Sequence, residues 1–382
     1  MTKDRSKDFA SGGLSRRSVL QSAAAALSIP IVTTHTVAWA RDKLAGSGEV
    51  VAYTPGGAHT EGARKHVFEP FTKATGIKVI DVNADIAEPQ VNAMVRANKV
   101  DWDWIQVQAQ NFPGMAAQGM FAPIDYSLWD AEALEGVAQS QRHVDRVPVG
   151  SSSMVLAYDA RVYPNPAAAP KSWTDFWDVK KFPGPRGLYG IDAKRNIQFA
   201  LLADGMAPQD IWPMTDDKLD RAFKKLDEIK PHVTKWWVGG GEAPQLLINK
   251  EYVMTSAFNN RMIIAVRGGA PVRFGYDGAY TNRTWAAVLK NGPNPANAQK
   301  LVAFMNRAQI AAGWTLGTAF PGGNTNQLKF LPDDLRPLLP ITPENSAKSV
   351  IEDSEWLPAQ RPDGKTNVAH MQERWLAWRA RA

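Results

Sequence analysis

Hydrophobic and polar residues alternate in blocks along the first part of the chain. Strand-like runs cover residues 49–54, 77–82 and 102–107. Between the first two runs, Ala63, Val67, Phe68 and Phe71 recur at a spacing that places them on one face of a helix. Because strands that alternate with helices form parallel sheets covered on both faces, the pattern predicts an α/β fold.

The same alternation continues in the second part of the chain. Further strands are predicted at residues 187–191, 252–258 and 283–289, and helices at 195–204, 216–228, 260–267 and 295–306. The C-terminal third is predicted to be mostly helix and loop, ending in a helix over residues 368–381. A chain of 382 residues is too long for one ordinary core, so two domains are expected.

The first forty residues have the pattern of an export signal. A polar, basic region is followed by a broken apolar stretch and by Ala38-Trp39-Ala40, which fits the small-x-small rule for cleavage. Arg16 and Arg17, with their neighbours, resemble the twin-arginine export motif. We expect a signal peptide over residues 1–40 and a periplasmic mature protein that has no membrane span.

Composition and charge exclude several classes of function. With no cysteine, the chain has no disulfide framework, thiolate zinc site, iron–sulfur cluster or cysteine nucleophile. The formal charge is +6, but residues 1–40 hold five basic and two acidic residues and so carry half of it. The remaining excess is too small to predict a nucleic-acid interface.

Four segments, in this order, resemble the spermidine/putrescine-binding group of bacterial type II extracellular solute-binding proteins. They are residues 71–79 (FTKATGIKV), 172–178 (SWTDFWD) with 182–184 (FPG), 258–261 (FNNR) with 268–272 (GGAPV), and 285–292 (WAAVLKNG) with Pro295. The resemblance covers roughly residues 48–330 and implies two α/β lobes joined by two crossover strands, with a ligand held between the lobes.

The resemblance also implies a role in transport. The protein would be a monomer without catalytic activity, cofactor or metal, and it would deliver a small molecule to an inner-membrane ABC permease. We place the first lobe at residues 41–155 and 283–382, which includes the C-terminal helices, and the second lobe at residues 156–282.

Candidate ligand contacts in the first lobe follow predicted strands, because ligands of α/β domains bind where strands end and helices begin. These candidates are His59, Thr60, Glu61, Gln108, Gln110 and Ser152. The alternative for the loop and strand-end residues among them is ordinary surface polarity.

Further candidate contacts lie in the second lobe and at its boundary with the first, and the resemblance implies several of them. They are Asp192, Arg195, Trp237, Phe258, Tyr280 and Arg283. Asp192 and Arg195 align with acidic contacts of polyamine binders, and Phe258 falls where the family uses a tryptophan wall. Trp237 could instead fill the core.

Arg283 decides the predicted class of ligand. Polyamine binders place an aspartate at this position, so the charge is reversed, as it also is at Arg195. Two guanidinium groups would repel an ammonium group but bind a carboxylate, and Arg can hold a carboxylate through two parallel hydrogen bonds. We therefore predict an amino acid, an ω-amino acid or an opine-like compound. A register slip that turns Arg283 to solvent is the alternative.

Three other functions are weaker alternatives. A polyamine binder follows if the charge reversal is misaligned, and a ferric-ion binder is kept open by His59 and Glu61. An exported hydrolase is the alternative from another class, although the sequence contains no H-E-x-x-H, G-x-S-x-G or P-loop motif.

Replacement of both Arg16 and Arg17 by lysine should hold the precursor in the cytoplasm, because the twin-arginine pathway reads this pair. Fractionation followed by immunoblotting measures the effect. Normal delivery of the double variant to the periplasm would leave only generic secretion as the export route.

Overall fold

The computed structural model describes residues 43–84 and 86–381. The twin-arginine motif and the predicted cleavage site lie outside the described residues. Among the helices of the described part, we find none that is long and apolar enough to cross a membrane.

Nine strands of the described chain form one sheet. They are β1 (Glu49–Thr54), β2 (Lys78–Asn83), β3 (Trp104–Gln108), β4 (Val147–Asp159), β5 (Arg186–Tyr189), β6 (Val233–Trp237), β7 (Met254–Phe258), β8 (Val272–Val288) and β9 (Val350–Ile351). The order across the sheet is β2-β1-β3-β8-β4-β7-β5-β6, and β9 pairs with β8. β1–β3 contribute to the first lobe, and β5–β7 contribute to the second.

The two longest strands, β4 and β8, join the lobes. They pair antiparallel along most of their length, with Ser152 opposite Asn282 and Met154 opposite Tyr280. β8 also pairs with β3, while β4 pairs with β7. The sheet is therefore mixed rather than wholly parallel, since β8 runs antiparallel to both β3 and β4. These crossover strands agree with the expected two-lobed α/β fold.

The α-helices cover both sides of the sheet. They are α1 (Gly57–Ala63), α2 (Glu69–Thr75), α3 (Ala87–Arg96), α4 (Phe112–Ala116), α5 (Ala131–Gly136), α6 (Trp173–Trp177), α7 (Ala193–Ala203), α8 (Asp216–Ile229), α9 (Glu242–Ile248), α10 (Asn259–Arg267), α11 (Pro295–Met305), α12 (Ala308–Thr318), α13 (Pro343–Lys348) and α14 (Asn367–Arg379). A π-helical stretch, Arg64–Phe68, connects α1 to α2.

Local sequence signals explain where two of these helices begin or end. Ser172 and Asp175 form a capping box at the start of α6, in which each side chain accepts a hydrogen bond from the other residue's main chain. Gly76 ends α2 with a left-handed φ of 84°, a conformation that glycine adopts without steric cost.

Separate cores stabilise the two lobes. In the first lobe, Val50 and Trp104 face one side of the sheet and pack with α2 and α11, whereas Tyr53 and Ile105 face the other side. In the second lobe, one large core joins residues of β4, β7 and the first part of β8 to α7 and α8. This division follows from the alternation of side chains along each strand.

The sequence predicts that all C-terminal helices belong to the first lobe. The structure instead divides them between the two lobes. α11 and α12 do pack in the first lobe, but α14 places Met371, Trp375 and Trp378 in the core of the second lobe. The rings of Trp375 and Trp378 are stacked 5.2 Å apart, and Trp236 of β6 meets Trp375 edge-on at 5.5 Å. The aromatic face of α14 thus finds its partner on a strand that is distant in sequence.

Replacement of Trp375 by alanine should lower the free energy of unfolding by about 3–5 kcal/mol, because it empties a fully buried aromatic site. Leu376, the next residue of α14, is 58% exposed, so Leu376→Ala is the matched control, with an expected change of about 0.5 kcal/mol or less. Urea denaturation measures both values. Equal, small effects would contradict the packing of α14 in the second core.

Candidate functional site

Asp192 and Arg195 form an ion pair at the end of β5, where the chain enters α7. The residues are three apart, which places their side chains on the same side of the first helical turn. Arg195 is only 8% exposed, and its guanidinium lies 5.1 Å from the ring of Tyr280, 5.5 Å from that of Tyr189 and 5.6 Å from that of Phe258. The structure thus brings together four of the predicted site residues.

The charge of Arg195 is already compensated. Burial by itself would lower the pKa of Arg195, but the Asp192 carboxylate and other nearby groups raise it above its usual value. One oxygen of this carboxylate, Oδ1, and the Nε of Arg195 are buried without a hydrogen-bond partner in the described chain. The pair is therefore electrically neutral while it keeps one acceptor and one donor free.

A second buried ion pair lies beside the first one. The ammonium group of Lys194 donates a hydrogen bond to Glu352 at 2.9 Å and another to Gln110, and the hydroxyl of Tyr280 donates to Glu352. Lys194 and Glu352 are 6% and 7% exposed. Glu352 and its pairing with Lys194 were not predicted from the sequence, because the partners are 158 positions apart and Glu352 belongs to no motif.

Arg283 lies in a different place, in a pocket at the crossover strands. The pocket holds about 80 Å³ and is lined by Gln141, Pro148, Gly150, Ser151, Thr281, Arg283, Pro321, Gly322, Gly323, Thr325, Pro340, Ile341, Ser346, Ser349 and Ile351. Among these lining residues, Arg283 is the one that carries a charge, and hydroxyl groups account for much of the remaining polarity. Burial lowers the pKa of Arg283, but arginine remains a cation in proteins.

Arg195 and Arg283 lie on opposite sides of β8. Successive residues of a strand alternate between its faces, so Tyr280, which lies against Arg195, and Thr281, which lines the pocket with Arg283, point in opposite directions. In the described structure no hydrogen bond, ion pair or ring contact joins Arg283 to Arg195. The expectation that both guanidinium groups face one ligand therefore has no direct contact to support it.

The candidates of the first lobe have mixed environments. Thr60 is buried, and its hydroxyl is 2.7 Å from that of Thr54 and 3.0 Å from the side-chain oxygen of Asn83, which indicates a structural role. Glu61 and Gln108 are exposed, whereas Ser152 is half-buried opposite Asn282.

His59 packs against the aromatic rings of Trp314 and Phe320, with ring centroids 5.0 and 5.7 Å away. Its Nε2 lies 3.3 Å from the side-chain nitrogen of Gln106. Burial lowers the pKa of His59 to about 4, although the Gln106 contact opposes the shift. His59 is therefore neutral at ordinary pH and gives the region no charge.

Trp237 fills the core of the second lobe, which was the alternative considered for it. The ring is fully buried between those of Tyr189 and Phe258, with centroids 4.8 and 5.8 Å away. Its Nε1 donates a hydrogen bond to the hydroxyl of Thr255 at 3.1 Å. Trp237 therefore supports Phe258 from behind.

Metal binding has no basis in the described part of the chain. No group of three or more His, Cys, Asp or Glu side chains there could hold a metal ion. The ferric-ion alternative therefore gains no support from the described residues, and His59 and Glu61 do not join other ligands.

The free energy of unfolding should fall as the pH drops from about 6.5 to about 4. In this window the unfolded chain binds a proton at His59 while the folded chain does not. His59→Gln should remove this part of the pH dependence, and His232→Gln, at an exposed position, is the control. Urea denaturation at several pH values measures the free energy of unfolding of each protein. Parallel curves for wild type and His59→Gln would contradict the buried, neutral histidine.

Comparisons with known proteins agree on the class of protein. A family model described as bacterial extracellular solute-binding protein matches residues 66–332. The gamma-aminobutyric acid-binding protein of Pseudomonas aeruginosa is 31% identical over 352 residues, which are 90% of this chain and 95% of that protein.

Solved structures show the same fold. An ABC transporter substrate-binding protein from Bradyrhizobium japonicum is 30% identical, with a TM-score of 0.74, and the match covers 87% of this chain and 99% of that one. A solved structure described as the Atu4243-GABA receptor is 28% identical, with a TM-score of 0.72. That match covers 87% of this chain and 98% of the other. The expectation of a binding protein rather than an enzyme is therefore confirmed. The chain belongs to the bacterial extracellular solute-binding protein family.

Proposed function

We propose that this protein is the periplasmic substrate-binding component of an ABC importer and that its ligand is a small molecule with a carboxylate group. ω-Amino acids such as γ-aminobutyrate are the first candidates. One similar protein is described as a γ-aminobutyrate-binding protein and another as a receptor for this compound. Other amino acids and opine-like compounds share the carboxylate and are the next candidates.

The observation that carries the proposal is the charge of the pocket at the crossover strands. Arg283 is its one charged lining residue, and the described chain provides no ion-pair partner for its guanidinium. A half-buried cation without a counterion is costly, and a ligand carboxylate would supply the missing charge. Guanidinium and carboxylate can form two parallel hydrogen bonds, and the hydroxyl of Ser151 adds a further donor.

The Asp192–Arg195 pair has a different role in this proposal. Because its charges cancel, it does not need an anion, and its main contacts are the surrounding aromatic rings. We assign it to holding Phe258 and Tyr280 in position beside the crossover strands. Asp192 does not line the pocket of Arg283, so we do not assign its free Oδ1 to the ligand.

A polyamine fits this arrangement poorly. Its ammonium groups would approach Arg283 in a pocket that has no carboxylate among its lining residues. Like charges in a partly buried site repel one another and also lose their hydration. The reversed charge at this position thus favours an amino carboxylate over putrescine or spermidine.

The lobe boundaries and partners belong to the same proposal. We place the hinge at the crossover strands near residues 153–158 and 276–283, with residues 41–155 and 283 onward in the first lobe, except for β9 with the residues that follow it up to Leu357 and for α14, and residues 156–282 in the second. The protein acts as a monomer that is exported with cleavage near Ala40, and the closed form delivers the ligand to an inner-membrane permease.

Arg283→Ala should weaken γ-aminobutyrate binding about a hundredfold to several thousandfold. Breaking one side of a buried ion pair costs about 3–5 kcal/mol, and about 1.4 kcal/mol is a factor of ten in affinity. Arg283→Lys should restore part of the affinity, because it keeps the charge but loses the two-pronged geometry. Titration calorimetry, with putrescine and spermidine as competitors, measures these affinities.

Arg273→Ala is the matched control. Arg273 lies on the same strand, but it is exposed and donates a hydrogen bond to the carbonyl of Pro164 outside the pocket. Its variant should bind as wild type does, and melting curves should show that all variants are folded. Tight spermidine binding that survives Arg283→Ala would contradict the carboxylate assignment and return the ligand to the polyamines.

A further inference from the structure

Lys194 makes buried contacts with three parts of the chain that are far apart in sequence. Its ammonium group donates hydrogen bonds to Gln110, which follows β3 of the first lobe, and to Glu352, which follows β9. Lys194 itself starts α7, whose side chains pack in the core of the second lobe. The contact with Gln110 is thus a polar bond between the lobes.

The short strand β9 lies between this network and the pocket of Arg283. β9 runs parallel to β8, with Val350 opposite Tyr280 and Ile351 opposite Thr281. Ile351 therefore shares a face with Thr281, and both line the pocket. Glu352 comes next in the chain, and its carboxylate faces Lys194 and Tyr280 on the other side. One three-residue segment touches both places.

The charges of this network do not compel the lobes to stay together. Lys194 and Glu352 compensate each other, and both α7, which carries Lys194, and Val350, two residues before Glu352, pack in the second core. Opening of the lobes would separate only the neutral Gln110 from the ammonium group, which could then bind water. A bond of this kind favours the closed form without preventing its opening, as a release step requires.

We propose that Gln110, Lys194 and Glu352 form a closure latch and that β9 links the latch to the ligand pocket. In this assignment Gln110 stabilises the closed form through Lys194 and does not contact the ligand. A ligand that packs against Ile351 holds Glu352, and with it Lys194, in the position that Gln110 requires. The inference rests on the hinged, two-lobed binding mode proposed above.

Distances between the lobes test the latch directly. The natural chain has no cysteine, so spin labels can be attached to cysteines introduced at Lys99 in the first lobe and Lys224 in the second, both exposed. Without ligand, Gln110→Ala should shift the distance distribution towards longer values. Its affinity for γ-aminobutyrate should fall about tenfold, which corresponds to about 1.4 kcal/mol.

Gln118→Ala is the matched control, because Gln118 lies in the same region, is exposed, and its side chain donates a hydrogen bond to the carbonyl of Gly114. It should leave the distances and the affinity unchanged. Melting curves should show whether each variant is folded.

A double-mutant cycle separates a latch from a ligand contact. Lys194→Met alone would leave Glu352 buried and unpaired, so the background is Lys194→Met with Glu352→Gln, which removes both charges. In this background the latch predicts no further effect of Gln110→Ala. A loss of affinity equal to that in wild type would show that Gln110 contacts the ligand and would overturn the inference.

The distances measured without ligand keep this test independent of the ligand's identity. If wild type binds no ω-amino acid, no other amino acid and no opine-like compound, the proposed ligand class fails, but a longer distance in Gln110→Ala still supports the latch. If wild type binds γ-aminobutyrate while Gln110→Ala changes neither distance nor affinity, the proposed function stands and the latch is wrong.

Discussion

The antiparallel pairing of β4 with β8 is the constraint on which the other features of the molecule depend. The ladder satisfies the main-chain hydrogen bonds of a segment that runs from one lobe core to the other. It also sets the side-chain alternation that puts Tyr280 on one face and Thr281 and Arg283 on the opposite face. Because β9 adds to the edge of β8, the C-terminal region is held to the hinge as well.

Charge compensation distinguishes the arginines that the sequence had grouped together. Arg195 has its carboxylate three residues away, so its charge is cancelled before any ligand arrives. Arg283 has no such partner in the described structure and lines a pocket that is otherwise uncharged. Lys194 and Glu352 likewise compensate each other, so this ion pair joins α7 to the segment that follows β9 without an excess charge.

Strong local patterns made most of the fold predictable. The first strands and the helix between them carry clear periodicity, and the capping box at Ser172 marks the start of α6. β6 and α9 were not predicted, since Thr234 and Lys235 dilute the apolar pattern of β6 and α9 is only seven residues long. Only the last part of β8 was predicted, as a strand over residues 283–289, because polar residues interrupt the earlier part, yet pairing with β4 makes β8 continuous from Val272 to Val288.

The sequence by itself determined the α/β class and the solute-binding family, because these depend on local periodicity and on motifs in a fixed order. Only the tertiary structure decided which charges meet. Lys194 and Glu352 are separated by 158 positions, and α14 joins the second core through Trp236 on a distant strand. Such partners are selected by burial and packing between segments, and a linear pattern of residue types does not record that selection.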